Sequence, residues 1–428
     1  MNIRIATGTA LILGSLLATA CNMPFAGEQA EPEAEEPAAE APAAEAPSEK
    51  EAEEAVSEPT EAPEEAIEEP QGTPIAHLDS GALILITHIQ MITQQRGWGI
   101  GGLDGNSDHV FRTKNGGQTW IDVTPPELAP EESNLTKSAV GNFLNPMTGW
   151  VIYYEESTEP SPSRFRVWGT TDGGDSWNPS RAIDLEFLGT SDYPPILGFE
   201  DADNGWLIAR YGPAGMHNYP IYLLRTADGG ERWEMAITPA EGGLQSCRKS
   251  GVDFGSLMVG WVTVADCPIV APEVAVTHDG GRSWEPLMLP APDSRPELFE
   301  TELCEGHSPQ LISDLIGAVA VSCRTGLKLN YIYTTQDGGV TWESHLYPGG
   351  ELALINPNMA YAFDRHIHQT LDGGQSWDFV KTVQWDGQFS FVTDQVGWAV
   401  ARQGDALALV STTNGGRTWN LLKPSITS

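Results

Sequence analysis

The sequence predicts an all-β fold, a seven-bladed β-propeller built from four-stranded antiparallel blades. First, a phrase of Thr, one residue, Asp or Asn, Gly-Gly, two residues and Trp occurs seven times, ending at Trp120, Trp177, Trp233, Trp284, Trp342, Trp377 and Trp419. Second, a short apolar segment, usually opening with Gly-Trp, stands 16 to 27 residues before the Trp that ends each phrase. Repeats of this length bury their apolar faces only by stacking on neighbours, so seven of them form a ring or an array.

A third observation is the pattern inside one repeat. Residues 251–288 read as the strand GVDFG, a turn, GWVTVAD, a loop, EVAVTH, a DGG turn and SWEPLML. The apolar runs are short, rich in Val and Ile, and bounded by Gly, Asp and Pro, as is typical of antiparallel strands. Four strands in each of seven units are the strand count of a propeller.

The repeated phrase predicts the tight turn between the third and fourth strands of each blade. Its glycines supply positive φ angles, and its Asp or Asn side chain caps the turn by accepting hydrogen bonds from backbone amides. We expect the Trp to be largely buried against its own turn and the motif to have a structural role. The turn residues are Asn115, Asp172, Asp228, Asp279, Asp337, Asp372 and Asn414.

This phrase resembles the Asp-box (BNR-like repeat) of sialidase-type and sortilin-type propellers. Together with the seven opener segments, it most resembles the seven-bladed propeller of the photosystem II stability and assembly factor family. The resemblance covers roughly residues 75–428. It implies the fold and a protein-binding role, because members of that family are thought to hold a membrane-protein client with an arginine-rich patch. Fold alone does not determine function.

The first 74 residues predict export and a tether. Residues 1–20 read as a lipoprotein signal peptide cleaved before Cys21, which would carry the lipid; a plain secretory signal or an uncleaved anchor are the alternatives. Residues 21–74 are rich in Glu, Ala and Pro, with 17 Glu and one Lys between Glu28 and Glu69. Such a segment buries too little apolar surface to fold, so we expect a disordered tether ahead of a propeller at 75–428. An acidic arm that binds a basic partner is the other interpretation.

Net charge excludes one class of partner. The chain carries −36; without the −16 of the tether and the +1 of Arg4, the propeller still carries −21. Nucleic acid is therefore not an expected partner, because phosphate binding needs a basic surface.

The cysteines agree with an oxidising compartment. Beyond Cys21 there are four, and alignment on the opener segments places one pair at equivalent positions in each of two adjacent blades. We therefore expect the disulfides Cys247–Cys267 and Cys304–Cys323. A zinc site is the alternative, although no CxxC spacing supports it.

Enzymatic and metal sites find little support. No Arg-Ile-Pro context for a sialidase arginine triad occurs, and a xyloglucanase-type glycosidase would need a second propeller. Asp364, His366 and His368 alternate as metal ligands could, but the short sixth blade predicts a tight hairpin there, with Asp364 and Arg365 as its turn. We expect no catalytic residue, no cofactor and no metal.

One set of residues remains as a candidate binding site. The position four residues after each opener aromatic, at the end of the second strand, is occupied by Tyr154, Arg210, Arg365 and Arg402 in four of the blades. Arginine grips carboxylates by bidentate hydrogen bonds, so these residues could hold an acidic segment of a partner near the channel mouth. Unrelated surface arginines are the alternative.

We therefore expect a monomeric, lipid-anchored, non-enzymatic propeller in the bacterial envelope, facing outside the cytoplasm and binding a protein client near the membrane. The rival function is a carbohydrate-active propeller, either a glycosidase or a lyase. A pocket with two carboxylates 5 to 9.5 Å apart would favour that rival. Because Trp419–Pro424 is expected to supply the outer strand of blade seven, any latch of the ring would come from Ala82–Ile86.

Overall fold

The computed structural model describes residues 73–128, 137–155, 163–186, 194–210, 221–238, 248–265, 271–324 and 328–427. It confirms an all-β, seven-bladed propeller of four-stranded antiparallel blades. The leader, Cys21 and nearly all of the predicted tether lie outside the described residues.

In blades one, three and four, each strand pairs with the next along the chain. Blade two differs because an additional pair of strands lies beside its sheet. Blade one contains β1 (Leu85–Met91), β2 (Gly97–Gly102), β3 (His109–Thr113) and β4 (Thr119–Asp122). Blade two contains β5 (Lys137–Phe143), β6 (Gly149–Glu155), β8 (Val167–Thr170) and β9 (Asn178–Pro179), beside the small pair β7 (Ser163–Phe165) and β10 (Ile183–Leu185). Blade three contains β11 (Ile196–Phe199), β12 (Gly205–Arg210), β13 (Ile221–Thr226) and β14 (Glu234–Ile237). Blade four contains β15 (Arg248–Phe254), β16 (Gly260–Ala265), β17 (Glu273–Thr277) and β18 (Glu285–Met288).

The remaining blades follow the same plan, with one short helix, α1 (Leu298–Thr301), before blade five. Blade five has its innermost strand in two pieces and contains β19 (Leu303–Gly306), β20 (Gln310–Leu311), β21 (Gly317–Arg324), β22 (Lys328–Thr335) and β23 (Glu343–Leu346). Blade six contains β24 (Glu351–Asn356), β25 (Met359–Phe363), β26 (His366–Thr370) and β27 (Asp378–Thr382). Blade seven contains β28 (Asp386–Phe391), β29 (Gly397–Gln403), β30 (Ala406–Thr412) and β31 (Asn420–Leu421), and β32 (Ser425–Ile426) follows.

All seven repeated turns have one geometry. Both glycines of each turn have positive φ, between 67° and 91°. In every turn the Asp or Asn Oδ1 accepts the backbone N–H four residues later at 2.9 Å, as Asn115 does from Thr119. The Thr that opens each turn, such as Thr113, is buried and accepts the N–H of the second glycine. The motif therefore stabilises its turn through side chains, as expected.

The tryptophans of the opener segments connect neighbouring blades. The Trp150 indole donates to the carbonyl of Gly229 in the turn of blade three at 2.8 Å, and Trp98 donates to the carbonyl of Asn145 in blade two at 3.0 Å. The indole ring of Trp150 also stacks on Phe199 of blade three, with centroids 3.6 Å apart. Each of these indoles thus adds a hydrogen bond between neighbouring blades to the apolar packing.

Side chains on the innermost strands protect their unpaired backbone edges. Gln90 of blade one exchanges hydrogen bonds with the backbone of Phe143 in blade two, and Gln388 of blade seven does the same with Ile89 of blade one. Asn142 accepts the Phe199 N–H in blade three at 3.1 Å. An innermost strand has no neighbouring strand on its channel side, so these contacts satisfy groups that would otherwise need water.

The ring closes differently from our prediction. Strand β32 adds to blade one, pairing parallel with β4 so that Ser425 faces Thr119 and Ile426 faces Trp120. Residues 81–84 contribute from the other side, because the Ile426 N–H donates to the Ala82 carbonyl and the Ile84 N–H to the Pro424 carbonyl. The expected latch from Ala82–Ile86 is therefore only half of the closure, and the added outer strand comes from residues 425–426.

This added strand also explains an unequal burial of the repeated tryptophans. Trp120 is 0% exposed, whereas the Trp residues of the other six turns are only half-buried. Among the described strands, blade one alone has a fifth strand over its outer edge. None of the seven tryptophans is exposed, as expected, and burial is complete at Trp120.

Candidate functional site

The predicted binding face lies where the second strands end and the innermost strands begin. There the structure confirms the hairpin of blade six, with β25 ending at Phe363, β26 beginning at His366, and Asp364 and Arg365 between them. Both turn residues are exposed.

Arg365 approaches a carboxylate that the sequence did not single out, and Arg402 is the strand neighbour of the same residue. Arg365 Nε lies 3.6 Å from the Asp386 carboxylate, with both side chains about two-thirds exposed. Asp386 is also the cross-strand partner of Arg402 at the start of blade seven. The two arginines of adjacent blades therefore neighbour one aspartate, Arg365 through a side-chain contact and Arg402 through strand pairing.

Arg402 has a second contact that belongs to the ring closure. Its Nη2 donates to the carbonyl of Thr87 in blade one at 3.1 Å. The pKa of the nearby His88 falls below its ordinary value, because protein is crowded around this exposed side chain and the Arg402 charge disfavours a second cation. Arg402 thus joins blade seven to blade one while part of its guanidinium stays exposed.

The other two predicted residues differ in what the structure shows. Arg210 ends β12 and pairs with Ile221, but its side chain lies outside what the structure describes. Tyr154 is 8% exposed and packs into the core between blades two and three with Phe165 and Leu185. Tyr154 is therefore a core residue here rather than an accessible aromatic contact, because the last residue pairs of β5 and β6 lie beneath the small β7–β10 sheet.

Of the four cysteines, the structure describes the pair in blade five. Cys304 and Cys323 are joined by a disulfide and are cross-strand partners on β19 and β21. Both are buried, in the core cluster that includes Phe299 of α1 and Tyr333. The expected Cys247–Cys267 pair lies outside the described residues.

A polar cavity of about 690 Å³ opens on the same face between blades four, five and six. His307 Nε2 lies 2.7 Å from Ser322 Oγ, and Thr263 Oγ1 donates a hydrogen bond to the His307 carbonyl at 2.8 Å. On the facing wall stand Glu351 and Asp364, both exposed to the cavity. This cavity and the Arg365–Asp386–Arg402 group are neighbours, because Asp364 and Arg365 belong to one turn.

The cavity is electrostatically uncompensated on its carboxylate side. Glu351 is exposed to the cavity, and the protein crowded around it raises the pKa of its carboxyl group above the ordinary value. Among the described residues, no Lys or Arg forms an ion pair with Glu351 or Asp364. The cavity can therefore accept hydrogen bonds from a ligand, and the arginine group beside it can donate them.

Two general features complete the description. In the part of the chain described, no three His, Cys, Asp or Glu side chains are grouped so that they could hold a metal ion. His366 and His368 make hydrogen bonds to the Thr382 hydroxyl and the His366 carbonyl instead. None of the described helices has the length and apolar character needed to cross a bilayer.

Counting along the hairpins would have found the missed residues. Pairing antiparallel strands outward from the turn before Trp398 places Asp386 opposite Arg402, and the same count in blade six places Glu351 opposite Phe363. The cavity itself has no such signal, because its wall combines strand ends from three blades.

Comparison with known proteins gives structural similarities only. No protein-family model matches the chain, and no curated protein matches its sequence. The structure of "YCF48 bound to D1 peptide" is similar at 19% identity and a TM-score of 0.49, covering 79% of this chain and 95% of that one. YCF48 from Cyanidioschyzon merolae is similar at 15% identity and a TM-score of 0.49, covering 78% and 97%. The GH74 xyloglucanase from Xanthomonas campestris is similar at 12% identity and a TM-score of 0.47, covering 81% of this chain and 55% of that one.

Proposed function

We propose that this chain is a non-enzymatic, assembly-factor-like propeller that binds an acidic segment of a protein client at its channel mouth. The observation that carries the proposal is that Arg365 and Arg402, from adjacent blades, neighbour the same exposed residue, Asp386, Arg365 through its side chain and Arg402 as the cross-strand partner. Arginine is the side chain best suited to a bidentate grip on carboxylates.

The geometry leaves donors for a client. Arg365 uses its Nε toward Asp386, and Arg402 uses one nitrogen toward Thr87; among the described residues their guanidinium groups make no other hydrogen bond. Asp386 contacts the Arg365 guanidinium without burying it. A carboxylate from a client can displace this exposed aspartate, because an ion pair at the surface contributes little free energy.

Location is part of the proposal. The leader sequence supports export and lipidation at Cys21, which would keep the propeller in the envelope, outside the cytoplasm and near membrane-associated clients. Changing Cys21 to Ser should move the protein from the membrane fraction to the soluble fraction while its unfolding transition stays unchanged.

The test uses photocrosslinking in the native host, with a crosslinking amino acid placed at position 366 or 403, both exposed beside the arginine group. The double variant Arg365→Ala/Arg402→Ala should reduce client crosslinks by about 30-fold, since an interface arginine hot spot is worth about 2 kcal/mol. Arg164→Ala is the matched control, because Arg164 is also exposed and paired with a carboxylate, Asp184, on the distant blade two. Equal crosslinking by the double variant and the parent would show that the arginines do not bind the client.

One observation favours the rival, a carbohydrate-active propeller. Glu351 and Asp364 share the 690 Å³ cavity, and the protein crowded around Glu351 raises its pKa, as a general acid requires. Incubation with plant and bacterial polysaccharides would reveal such an activity as new reducing ends. Cleavage that disappears in Glu351→Gln, but persists in Arg365→Ala/Arg402→Ala, would favour the enzyme over the binding module.

A further inference from the structure

A short segment at the start of the described chain is fastened across blade one. We name residues 74–78 the strap. Pro74 forms an antiparallel bridge with Leu128, and the Ile75 N–H donates to the Glu127 carbonyl at 2.8 Å. The Leu78 N–H donates to Asp122 Oδ2, also at 2.8 Å. Three backbone contacts therefore hold a segment that belongs to no blade.

The fourth contact of the strap is made by a buried histidine. His109 Nε2 lies 3.1 Å from the carbonyl oxygen of Ala76 in the strap, and its Nδ1 lies 2.7 Å from Asp108 Oδ1. Asp122 Oδ2 stands 3.9 Å from Nε2. Every one of these neighbours is an acceptor. A neutral imidazole has a single N–H, so both contacts are hydrogen bonds only when the ring is the imidazolium cation.

The surroundings of His109 favour that cation. Its side chain is 8% exposed, and burial alone would lower the pKa; the hydrogen bond and charge of Asp108, with the charge of Asp122, raise the pKa of His109 above its ordinary value. The Phe111 ring lies parallel at 6.0 Å and carries no charge. The next charged groups, Glu127 and Lys137, are paired with each other at 2.6 Å.

The strap carries one further histidine and one apolar side chain. His77 Nε2 lies 2.8 Å from the Thr124 carbonyl, a contact that needs only one N–H and so can be made by the neutral ring. Ile75 packs against the apolar cluster of blades one and two that contains Val110 and Val123. The strap therefore covers part of that cluster.

We propose that His109 is a proton-operated clamp, which fastens the strap while the imidazole is protonated and loosens it on deprotonation, uncovering the apolar surface beneath Ile75. The sign follows from linkage. Asp108 and Asp122 belong to blade one, and the strap itself contributes the hydrogen bond to the Ala76 carbonyl, which also raises the pKa of His109. The stabilisation is full at pH below the pKa of the loosened state and is lost as the pH rises through the higher pKa of the fastened state.

The test is amide hydrogen exchange of Ile75 and Leu78 in the intact protein, corrected for the intrinsic pH dependence of exchange. Protection of both amides should fall as the pH rises, by roughly tenfold for each unit by which fastening raises the pKa of His109. The His109 titration measured by NMR on the same sample should coincide with that fall. The N–H of Ile426, in the ring closure, is the internal reference and should keep its protection.

Three variants separate the clamp from other causes. Asp108→Asn should shift the loss of protection to lower pH, and His109→Gln should make the protection of both amides independent of pH. His77→Gln should leave the pH dependence of protection unchanged. Protection that does not vary with pH in the parent, or varies equally in His109→Gln, would overturn the proposal. An NMR titration of the parent protein that shows His109 already neutral at pH 6 would also overturn the proposal. This measurement does not depend on the folding of any variant.

Discussion

The indole N–H of Trp398 in blade seven donates to the carbonyl of Gly116 in blade one at 2.8 Å. The same bond joins Trp150 to Gly229 between blades two and three. The closing interface of the ring is thus built like an internal one, although its two partners lie far apart in sequence.

Changing Trp398 to Phe should lower the free energy of unfolding by about 1 to 3 kcal/mol, because it leaves the Gly116 carbonyl without its partner while keeping most apolar contacts. Trp150→Phe is the matched change at an internal interface. Urea unfolding of the two variants measures both effects. If neither variant differs from the parent, the indole hydrogen bonds add nothing to the stability of the ring.

Removing residues 424–428 should destabilise the propeller by several kcal/mol, because it takes away β32 and exposes Trp120. The single change Ile426→Ala should cost about 2 to 5 kcal/mol, since Ile426 is 5% exposed. Thermal unfolding provides the measurement, with deletion of Ser428 alone as the control. A melting temperature unaffected by the longer deletion would show that the ring closes without β32.

The five repeated turns built on Asp should make stability depend on acid, because hydrogen bonds lower the pKa of each turn carboxyl group. Hydrogen bonds from the Ser176 hydroxyl and amide and from Thr170 lower the pKa of Asp172 to about 2, and Asp337 and Asp372 behave likewise in their own turns. Unfolded aspartate has a pKa of about 3.9. The contribution of these turns is therefore present above about pH 4 and is lost as the pH falls towards 2.

Replacing Asp172, Asp337 and Asp372 together by Asn should reduce the loss of stability at low pH. Asn115 and Asn414 already fill the same position in their own turns and accept the same backbone N–H at 2.9 Å. The corresponding triple Ala variant should be weaker at every pH. Circular dichroism from pH 6 to 2 compares the three proteins. An identical acid transition in parent and Asn variant would mean that other carboxylates dominate.

Reduction of the protein should destabilise blade five in particular. The Cys304–Cys323 bridge closes a loop of sequence separation 19, and a loop of that size contributes about 3 kcal/mol by the chain-entropy model. Non-reducing mass spectrometry of exported protein should find this bridge and Cys247–Cys267. Free thiols at all four positions, or crossed pairing, would refute the alignment of the two blades.

Local chemistry explains why so much of the fold could be predicted. Each turn repeats its own Thr, Asp and glycines, so a short window of sequence specifies a hairpin, and seven hairpins imply seven blades. Ring closure had no such signal, because β32 is two residues long and pairs with a strand early in the chain. The sequence also placed Tyr154 correctly near the end of a strand. The burial of Tyr154 depends on the β7–β10 sheet, which has no counterpart in the other described blades.

The candidate site was predictable only in part for a similar reason. Arg365 and Arg402 follow from counting along the repeats, whereas the contact of Arg402 with Thr87 depends on how the first and last blades meet. Consequently Arg402→Ala should also cost about 1 kcal/mol of stability, while Arg365→Ala should be nearly neutral.

The parallel pairing of Ile426 with Trp120 has a consequence for biogenesis. Blade one needs residues that emerge from the ribosome about 300 positions after it, and such distant contacts form slowly. Blades two to six hold complete sets of strands earlier, while blade one waits with an uncovered outer edge. Synthesis of the final segment is therefore the step that commits the ring, and a chain stalled before it would expose blade one to proteases and chaperones.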